Sequence, residues 1–170
     1  MLFCLNGAFV DEKKAKVSVL DHGFLYADGF YDTLRVYDGV LFELPLHVKR
    51  MESTARKMDI PLPRKLLLRD WLLQIVKKNS LRDARVRITV TRGKQGRDFS
   101  KARKPTIILT CERIKRTSAR AETACTMRFE RVMPSLKTLG GLAVLSLAAR
   151  KAKKNNVDQV IGIDAHGFVR

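Results

Sequence analysis

The sequence has few residues of several kinds, and each shortage excludes a class of protein. Its 170 residues include three cysteines, Cys4, Cys111 and Cys125, which are far apart and form no Cys-x-x-Cys pair. The three histidines are equally scattered, so no metal site is predicted, and we interpret the cysteines as buried or half-buried thiols. Aromatic residues make up 7% of the chain and form no stacking array of the kind that RNA-binding domains use.

Long apolar runs are absent as well. No segment is long enough to cross a bilayer, so no membrane association is predicted. The first residues, MLFCLNGAFVDEKK, lack a basic segment before their short apolar stretch, which argues against a secretory signal. The sequence therefore predicts a cytoplasmic protein.

Acidic residues are scarce relative to basic ones. Seventeen Asp and Glu face 34 Lys and Arg, which gives a formal net charge of +17. A field of this sign attracts polyanions. The basic residues are spread along the whole chain, however, and they are not interleaved with aromatic ones. We therefore do not predict nucleic-acid binding, and an anionic ligand remains the alternative that the charge favours.

Short apolar and alternating segments predict a mixed α/β chain. Asn6-Gly7 and Asp38-Gly39 each separate two strand-like segments and are typical of type I′ hairpin turns. The remaining segments follow periods of two or 3.6 residues. They predict strands at 1–5, 8–10, 16–20, 30–37, 40–44, 84–91, 106–111, 126–132 and 157–164, and helices at 45–58, 64–79 and 142–154.

Two basic residues stand out by their surroundings. Lys137 lies in the apolar, glycine-flanked segment MPSLKTLGGL, and Arg50 lies on a helix that follows a strand. Pyridoxal phosphate requires one residue of each type, because a lysine forms the Schiff base and a cation neutralises the phosphate. The residues alone leave alternatives open. Lys137 can be a solvated loop lysine, and Arg50 can pair with Glu43 or Glu52 on a helix surface.

Four segments in register resemble the class IV, or fold-type IV, pyridoxal-phosphate aminotransferases. This family includes branched-chain and D-amino-acid aminotransferases and aminodeoxychorismate lyase. The segments that carry the resemblance are YADGFYDTLRVYDGVLFELPLHVKRMESTA at 26–55, VRITVTRGKQGRDFS at 86–100, PSLKTLGGLAVLSLAARKA at 134–152 and VDQVIGIDAHGFVR at 157–170.

The resemblance implies a two-domain α/β fold with the cofactor between the domains. On this sequence it predicts a small N-terminal α/β domain at 1–115, a linker at 116–123, and the first part of a larger C-terminal pseudo-barrel at 124–170. It also implies a homodimer. The family places a glutamate that pairs with the pyridine nitrogen directly after the Gly-Phe-Val-Arg segment that ends at Arg170. The domain is thus expected to be incomplete within these residues.

The resemblance also implies roles for individual residues. Arg50 binds the cofactor phosphate, Lys137 forms the Schiff base, and Tyr31 lies beside the cofactor and the substrate. Arg97 lies near the substrate carboxylate. The implied reaction is transamination between an α-amino acid and a 2-oxo acid, of the branched-chain or D-amino-acid type. We interpret His47 as structural.

Two departures from the family pattern bear on the substrate. Phe99 replaces the histidine that D-amino-acid aminotransferases carry two residues after the loop arginine, and Gly140-Gly141 replaces an Asn-Tyr pair. Two alternatives therefore stay open. One is 4-amino-4-deoxychorismate lyase, which releases pyruvate, and the other is a non-catalytic basic binding protein on the same fold.

Overall fold

A computed structural model shows the chain as two compact units, residues 1–116 and 117–170. It describes residues 1–94, 96, 99, 104–114, 121–129, 133 and 135–169. Among these residues, no helix combines the length and the apolar composition that a membrane span requires.

The N-terminal unit is built on a six-stranded antiparallel sheet in the order β2-β1-β6-β5-β3-β4. Three helices accompany it. The elements are β1 (Leu2–Leu5), β2 (Ala8–Asp11), α1 (His22–Tyr26), β3 (Gly29–Tyr37), β4 (Val40–Leu41), α2 (Leu44–Lys57), α3 (Lys65–Lys78), β5 (Ala84–Thr91) and β6 (Thr106–Arg113).

One face of this sheet is apolar and carries the core. Successive side chains of a strand point to opposite faces, so residues 30, 32, 34 and 36 of β3 share one face. Phe30, Leu34 and Val36 are buried there, and the inward residues of α2 and α3 join them in one cluster. The opposite face carries residues such as Tyr31, Thr33 and Arg87, which are only partly buried. The sheet therefore has a core face and a polar face.

Both predicted hairpin turns are confirmed. Asn6 and Gly7 have φ of 50° and 90°, and Asp38 and Gly39 have φ of 48° and 84°. Positive φ at both central residues is the requirement of a type I′ turn. The strand after the second turn is shorter than predicted, because it ends at Leu41 and Leu44 already begins α2. Pro45 occupies the first turn of that helix, where no N–H donor is needed.

The predicted strand at 16–20 is wrong. Residues Glu12–Lys14 form a short 3₁₀ turn, and the chain from 15 to 20 pairs with no strand. The apolar residues that suggested the strand stay in solvent, with Val17 42% and Val19 68% exposed. An alternating pattern stabilises a strand only when one of its faces is buried, and here neither face is.

The C-terminal unit contains a βαβ arrangement. Strands β7 (Ala124–Arg128) and β8 (Gln159–Ile163) are parallel, and a 3₁₀ turn (Gly140–Leu142) followed by α4 (Ala143–Lys154) lies between them in sequence. Parallel neighbours require such a crossover. The end of the strand predicted at 126–132 falls on residues 130–132, which lie outside the described part of the chain.

We expect Leu72→Ala to lower the free energy of unfolding by about 2–5 kcal/mol. Leu72 is a fully buried residue of α3, so removing most of its side chain leaves a cavity in the core. Leu66→Ala is the matched control on the same helix. Its side chain is 72% exposed, so the change should stay within about 0.5 kcal/mol. Urea denaturation of both variants measures the difference. Equal losses would contradict the described packing of α3.

Candidate functional site

A buried carboxylate lies on the core face of β3. The alternation of Phe30, Leu34 and Val36 places Asp32 among apolar side chains, and the Asp32 side chain is 2% exposed. Burying a charged carboxylate is costly unless a cation and hydrogen bonds compensate for the lost water. The surroundings of Asp32 supply both.

Arg50 of α2 holds this carboxylate with two hydrogen bonds. Its Nη2 donates to Asp32 Oδ1 at 2.6 Å, and its Nε donates to Asp32 Oδ2 at 3.0 Å. This bidentate geometry is the one that a guanidinium forms best. Neither bond uses Nη1, and the Arg50 side chain is 48% exposed. Asp32 therefore fixes the orientation of the guanidinium, and Nη1 takes no part in binding the carboxylate.

His47 lies one turn before Arg50 and completes the cluster. Its Nδ1 is 3.2 Å from Asp32 Oδ2 and 2.9 Å from Arg50 Nη2. The first contact needs a proton on Nδ1, whereas the second needs a lone pair there, so the tautomer decides which one forms. Either choice connects the imidazole to the Asp32–Arg50 pair.

The cluster controls the ionisation of Asp32. Burial acts to raise the pKa of Asp32. The hydrogen bonds from Arg50, from the backbone N–H of Thr33 and from His47, together with the charge of Arg50, outweigh burial and hold the pKa below its ordinary value. Asp32 is thus a stable anion within the core, and the positive charge beside it is retained.

Sequence reasoning missed this partner. It offered Glu43 or Glu52 as the carboxylate that pairs with Arg50, and both are wrong, because Asp32 forms the pair. A signal was available in the sequence. Asp32 interrupts an apolar alternation on the inward face of a strand, and a buried acid in such a place needs a cation.

Tyr31 lies on the opposite face of β3 from Asp32. The structure therefore does not bring the Tyr31 ring against the Asp32–Arg50 pair, although the two residues are neighbours in the strand. Its ring instead contacts Arg87 of β5, whose Cζ is 4.3 Å from the ring centroid. A guanidinium at that distance makes a favourable cation–π contact. Arg87 was not among the predicted site residues.

A second ion pair, between Arg92 and the partly buried Asp28, lies at the end of β5. Arg92 donates from Nε to Asp28 Oδ2 at 2.6 Å, and its Nη2 and Nη1 donate to the carbonyls of Met58 and Asp59. It therefore ties the start of β3 to the end of α2. The following loop contacts α1 through His22, whose Nε2 is 2.8 Å from the Gly96 carbonyl. The predicted substrate residue Arg97 lies outside the described residues.

Lys137 belongs to the C-terminal unit and lies in the connection between β7 and α4. It follows the buried Leu136 and precedes the Gly140–Leu142 turn, and it is half-buried. This connection leaves the carboxyl end of a parallel strand, which is where ligand sites form in parallel α/β sheets.

The cysteines are confirmed as buried or half-buried thiols. Cys4 and Cys111 are buried in the core, and Cys125 is half-buried. Burial raises the pKa of Cys4, and it raises that of Cys111 to about 11, so neither supplies a thiolate at neutral pH. Over the described part of the chain, no group of three or more His, Cys, Asp or Glu side chains is placed to hold a metal ion.

Comparison with protein families identifies the chain. The model of the amino-transferase class IV family matches residues 29–170. A putative branched-chain-amino-acid aminotransferase of Methanocaldococcus jannaschii is 40% identical over an alignment that covers 99% of this chain and 62% of that protein. The chain thus spans about three fifths of the length of this relative.

Two bacterial relatives match shorter parts. The aminodeoxychorismate lyase of Bacillus subtilis is 33% identical over 65% of this chain and 40% of the lyase. The D-alanine aminotransferase of Staphylococcus haemolyticus is 34% identical over 56% of this chain and 34% of that enzyme.

A solved structure matches the whole chain. The T.th. branched-chain amino acid aminotransferase, complexed with N-(5'-phosphopyridoxyl)-L-glutamate, superimposes with a TM-score of 0.88 at 25% identity. The match covers 99% of this chain and 60% of that one. The α/β fold expected for the fold-type IV family is therefore confirmed.

We expect Asp32→Asn to lower the free energy of unfolding at pH 7 by about 1–3 kcal/mol, because Arg50 loses its charged, buried partner. The folded-state pKa of Asp32 is lowered, so its contribution is present above the unfolded value of about 3.9 and is lost as the pH falls through the folded value. The difference between wild type and variant should therefore shrink below about pH 4.

Chemical denaturation between pH 7 and pH 3 measures this difference, and Asp70→Asn is the control. Asp70 is exposed on α3, so its replacement should leave the pH profile of the wild type unchanged. A constant difference between wild type and Asp32→Asn across the whole range would show that Asp32 is not held as an anion.

Proposed function

The chain belongs to the class IV aminotransferase family, and we propose that its residues form part of the cofactor site of a pyridoxal 5'-phosphate-dependent aminotransferase. The proposed reaction moves an amino group from an α-amino acid to a 2-oxo acid. The Methanocaldococcus relative and the T.th. structure favour the branched-chain type. In this proposal, residues 117–170 are the first part of the larger domain. Homodimeric assembly and a cytoplasmic location stay predictions.

The observation that carries the proposal is the Arg50 cation held by Asp32. A guanidinium is permanently charged and presents planar N–H donors that suit phosphate oxygens, and Arg50 has this chemistry. Its Nε and Nη2 are occupied by Asp32, which fixes the plane of the guanidinium. Nη1 takes part in neither of these bonds, and the side chain is half-exposed. The residues present therefore fit a phosphate ligand on Arg50.

Lys137 would hold the cofactor covalently and carry the proton of the reaction. Its position in the connection that follows β7 supports this role, because ligand sites in parallel α/β sheets form in the connections at the carboxyl ends of the strands. When bound, the cofactor supplies an electron sink for the electrons that the departing α-proton leaves behind. The Lys137 amine would take that proton from the substrate and return it during the transfer.

Tyr31 and Arg87 would contact the substrate. The Arg87 guanidinium lies on the Tyr31 ring and donates from Nε to Thr89 Oγ1 at 3.2 Å, so its orientation is set by two neighbours. A cation oriented in this way suits the substrate carboxylate. Arg97 stays a predicted contact of the substrate carboxylate.

We expect the protein to bind added pyridoxal 5'-phosphate and show a visible absorption band, which borohydride reduction removes while fixing the label on Lys137. Lys137→Ala should lack both the band and the label. Lys153→Ala is the control, because it removes an exposed lysine of α4. A label on another lysine, or no cofactor uptake, would contradict the proposal. Pyruvate release from aminodeoxychorismate without a 2-oxo acid would indicate the lyase instead.

We expect Arg50→Lys to weaken pyridoxal 5'-phosphate binding about tenfold, a loss of about 1.4 kcal/mol, because lysine cannot bind Asp32 and a phosphate with one planar fork. Arg56→Lys is the control, since Arg56 is exposed near the end of the same helix. Titration of cofactor absorbance gives both dissociation constants. Wild-type affinity in Arg50→Lys would remove Arg50 from the phosphate site.

A further inference from the structure

A groove in the N-terminal unit lies apart from the Asp32–Arg50–His47 cluster. Its volume is about 710 Å³, and it is bordered by α2, by α3, by the β3–β4 hairpin and by the loop that follows α3. We call it the α2–α3 groove. None of its lining residues belongs to the cluster, so what it binds does not depend on the proposed aminotransferase function.

The floor of the α2–α3 groove is aliphatic. The side chains that form it are 7% exposed or less: Leu41, Leu44, Val48, Val76 and Leu81. At the rim, Val40 is 68% exposed and Leu73 is 44% exposed. Concave, mostly apolar sites of about 300–1,000 Å³ are the usual sites of small ligands. The volume of the groove and its apolar floor suit an apolar molecule. Val40 and Leu73 at the rim would bury apolar surface by packing against such a molecule, which is favourable.

All charged residues that line the groove are basic. They are Lys65, Arg69 and Lys77, and all three are exposed residues of α3. With Leu73 they are spaced by four residues, which places them in one stripe along the helix. Within the described residues, none of the three forms a salt bridge. Like charges at this spacing repel each other, so an anion at the rim would stabilise the stripe.

The lining also excludes several ligand classes. It contains no aromatic side chain, so it offers no stacking surface for a nucleobase. Ser80 supplies its only side-chain hydroxyl, and no carboxylate or amide is present to bind the hydroxyl groups of a sugar. A flexible aliphatic chain with one negative end matches both the floor and the rim.

We propose that the α2–α3 groove binds a free aliphatic carboxylate. The hydrocarbon chain lies on the floor over Val48 and Val76 and beneath Leu73, and the carboxylate pairs with Arg69 and its basic neighbours. Arg69 is the main partner of the carboxylate, because a guanidinium binds this group with two parallel hydrogen bonds.

Decanoate tests the proposal, at concentrations below micelle formation and with the 170-residue chain. We expect saturable binding by calorimetry, with amide chemical-shift changes concentrated at Val40, Leu73 and Ser80. Decyltrimethylammonium has the same chain with a positive head and should bind at least tenfold more weakly. Arg69→Glu should weaken decanoate binding about tenfold. Lys49→Glu makes the same charge change at an exposed site of α2 outside the groove, and it should bind decanoate as the wild type does.

Three results would overturn the proposal. They are equal binding of the anionic and cationic amphiphiles, equal weakening by Arg69→Glu and Lys49→Glu, and binding of anionic lipid vesicles without saturable binding of decanoate. Leu73→Asp supplies a second variant, which removes the apolar side chain of Leu73 at the rim. Leu73 is partly exposed, so the fold should persist, as circular dichroism would show, while decanoate binding is lost. Wild-type affinity in this folded variant would also contradict the proposal.

Discussion

The carboxylate of Asp32 has to remain charged inside an apolar core, and much of the N-terminal unit is arranged to permit this. The cost of burying the charge is offset by two bonds from Arg50, by the backbone N–H of Thr33 and by His47. Because Arg50 and His47 both belong to α2, the same contacts attach this helix to β3. The orientation of the candidate phosphate-binding group is therefore a consequence of how the core satisfies one acid.

The two faces of the sheet separate the remaining functions. The core face holds the Asp32–Arg50 pair, while the polar face carries Tyr31 with Arg87 stacked on it. Adjacent residues of one strand thus supply two kinds of site, because strand side chains alternate between faces. The basic side chains of the unit are likewise not uniform in role. Arg50 and Arg92 bind buried or partly buried carboxylates, whereas Arg69 lines an apolar groove.

Local patterns predicted the parts of the fold that depend on neighbours in sequence. Both type I′ turns follow from Asn6-Gly7 and Asp38-Gly39, and α3 follows from its apolar spacing. The predicted strand at 16–20 does not form, because a strand also depends on the parts of the fold that pack against it. Its alternation was correct as a pattern, but no layer of the fold covers Val17 and Val19, so nothing stabilises pairing.

The sequence by itself determined the family, the two hairpins and the residue types that a phosphate and a Schiff base require. Only the tertiary structure decided that Arg50 pairs with Asp32, 18 residues earlier, and that Arg87 lies on Tyr31. Glu43 and Glu52 are closer to Arg50 in sequence, yet they do not form the pair. The reason is physical. A side-chain partner is selected by distance and burial after the helix packs on the sheet, and a local pattern carries neither quantity.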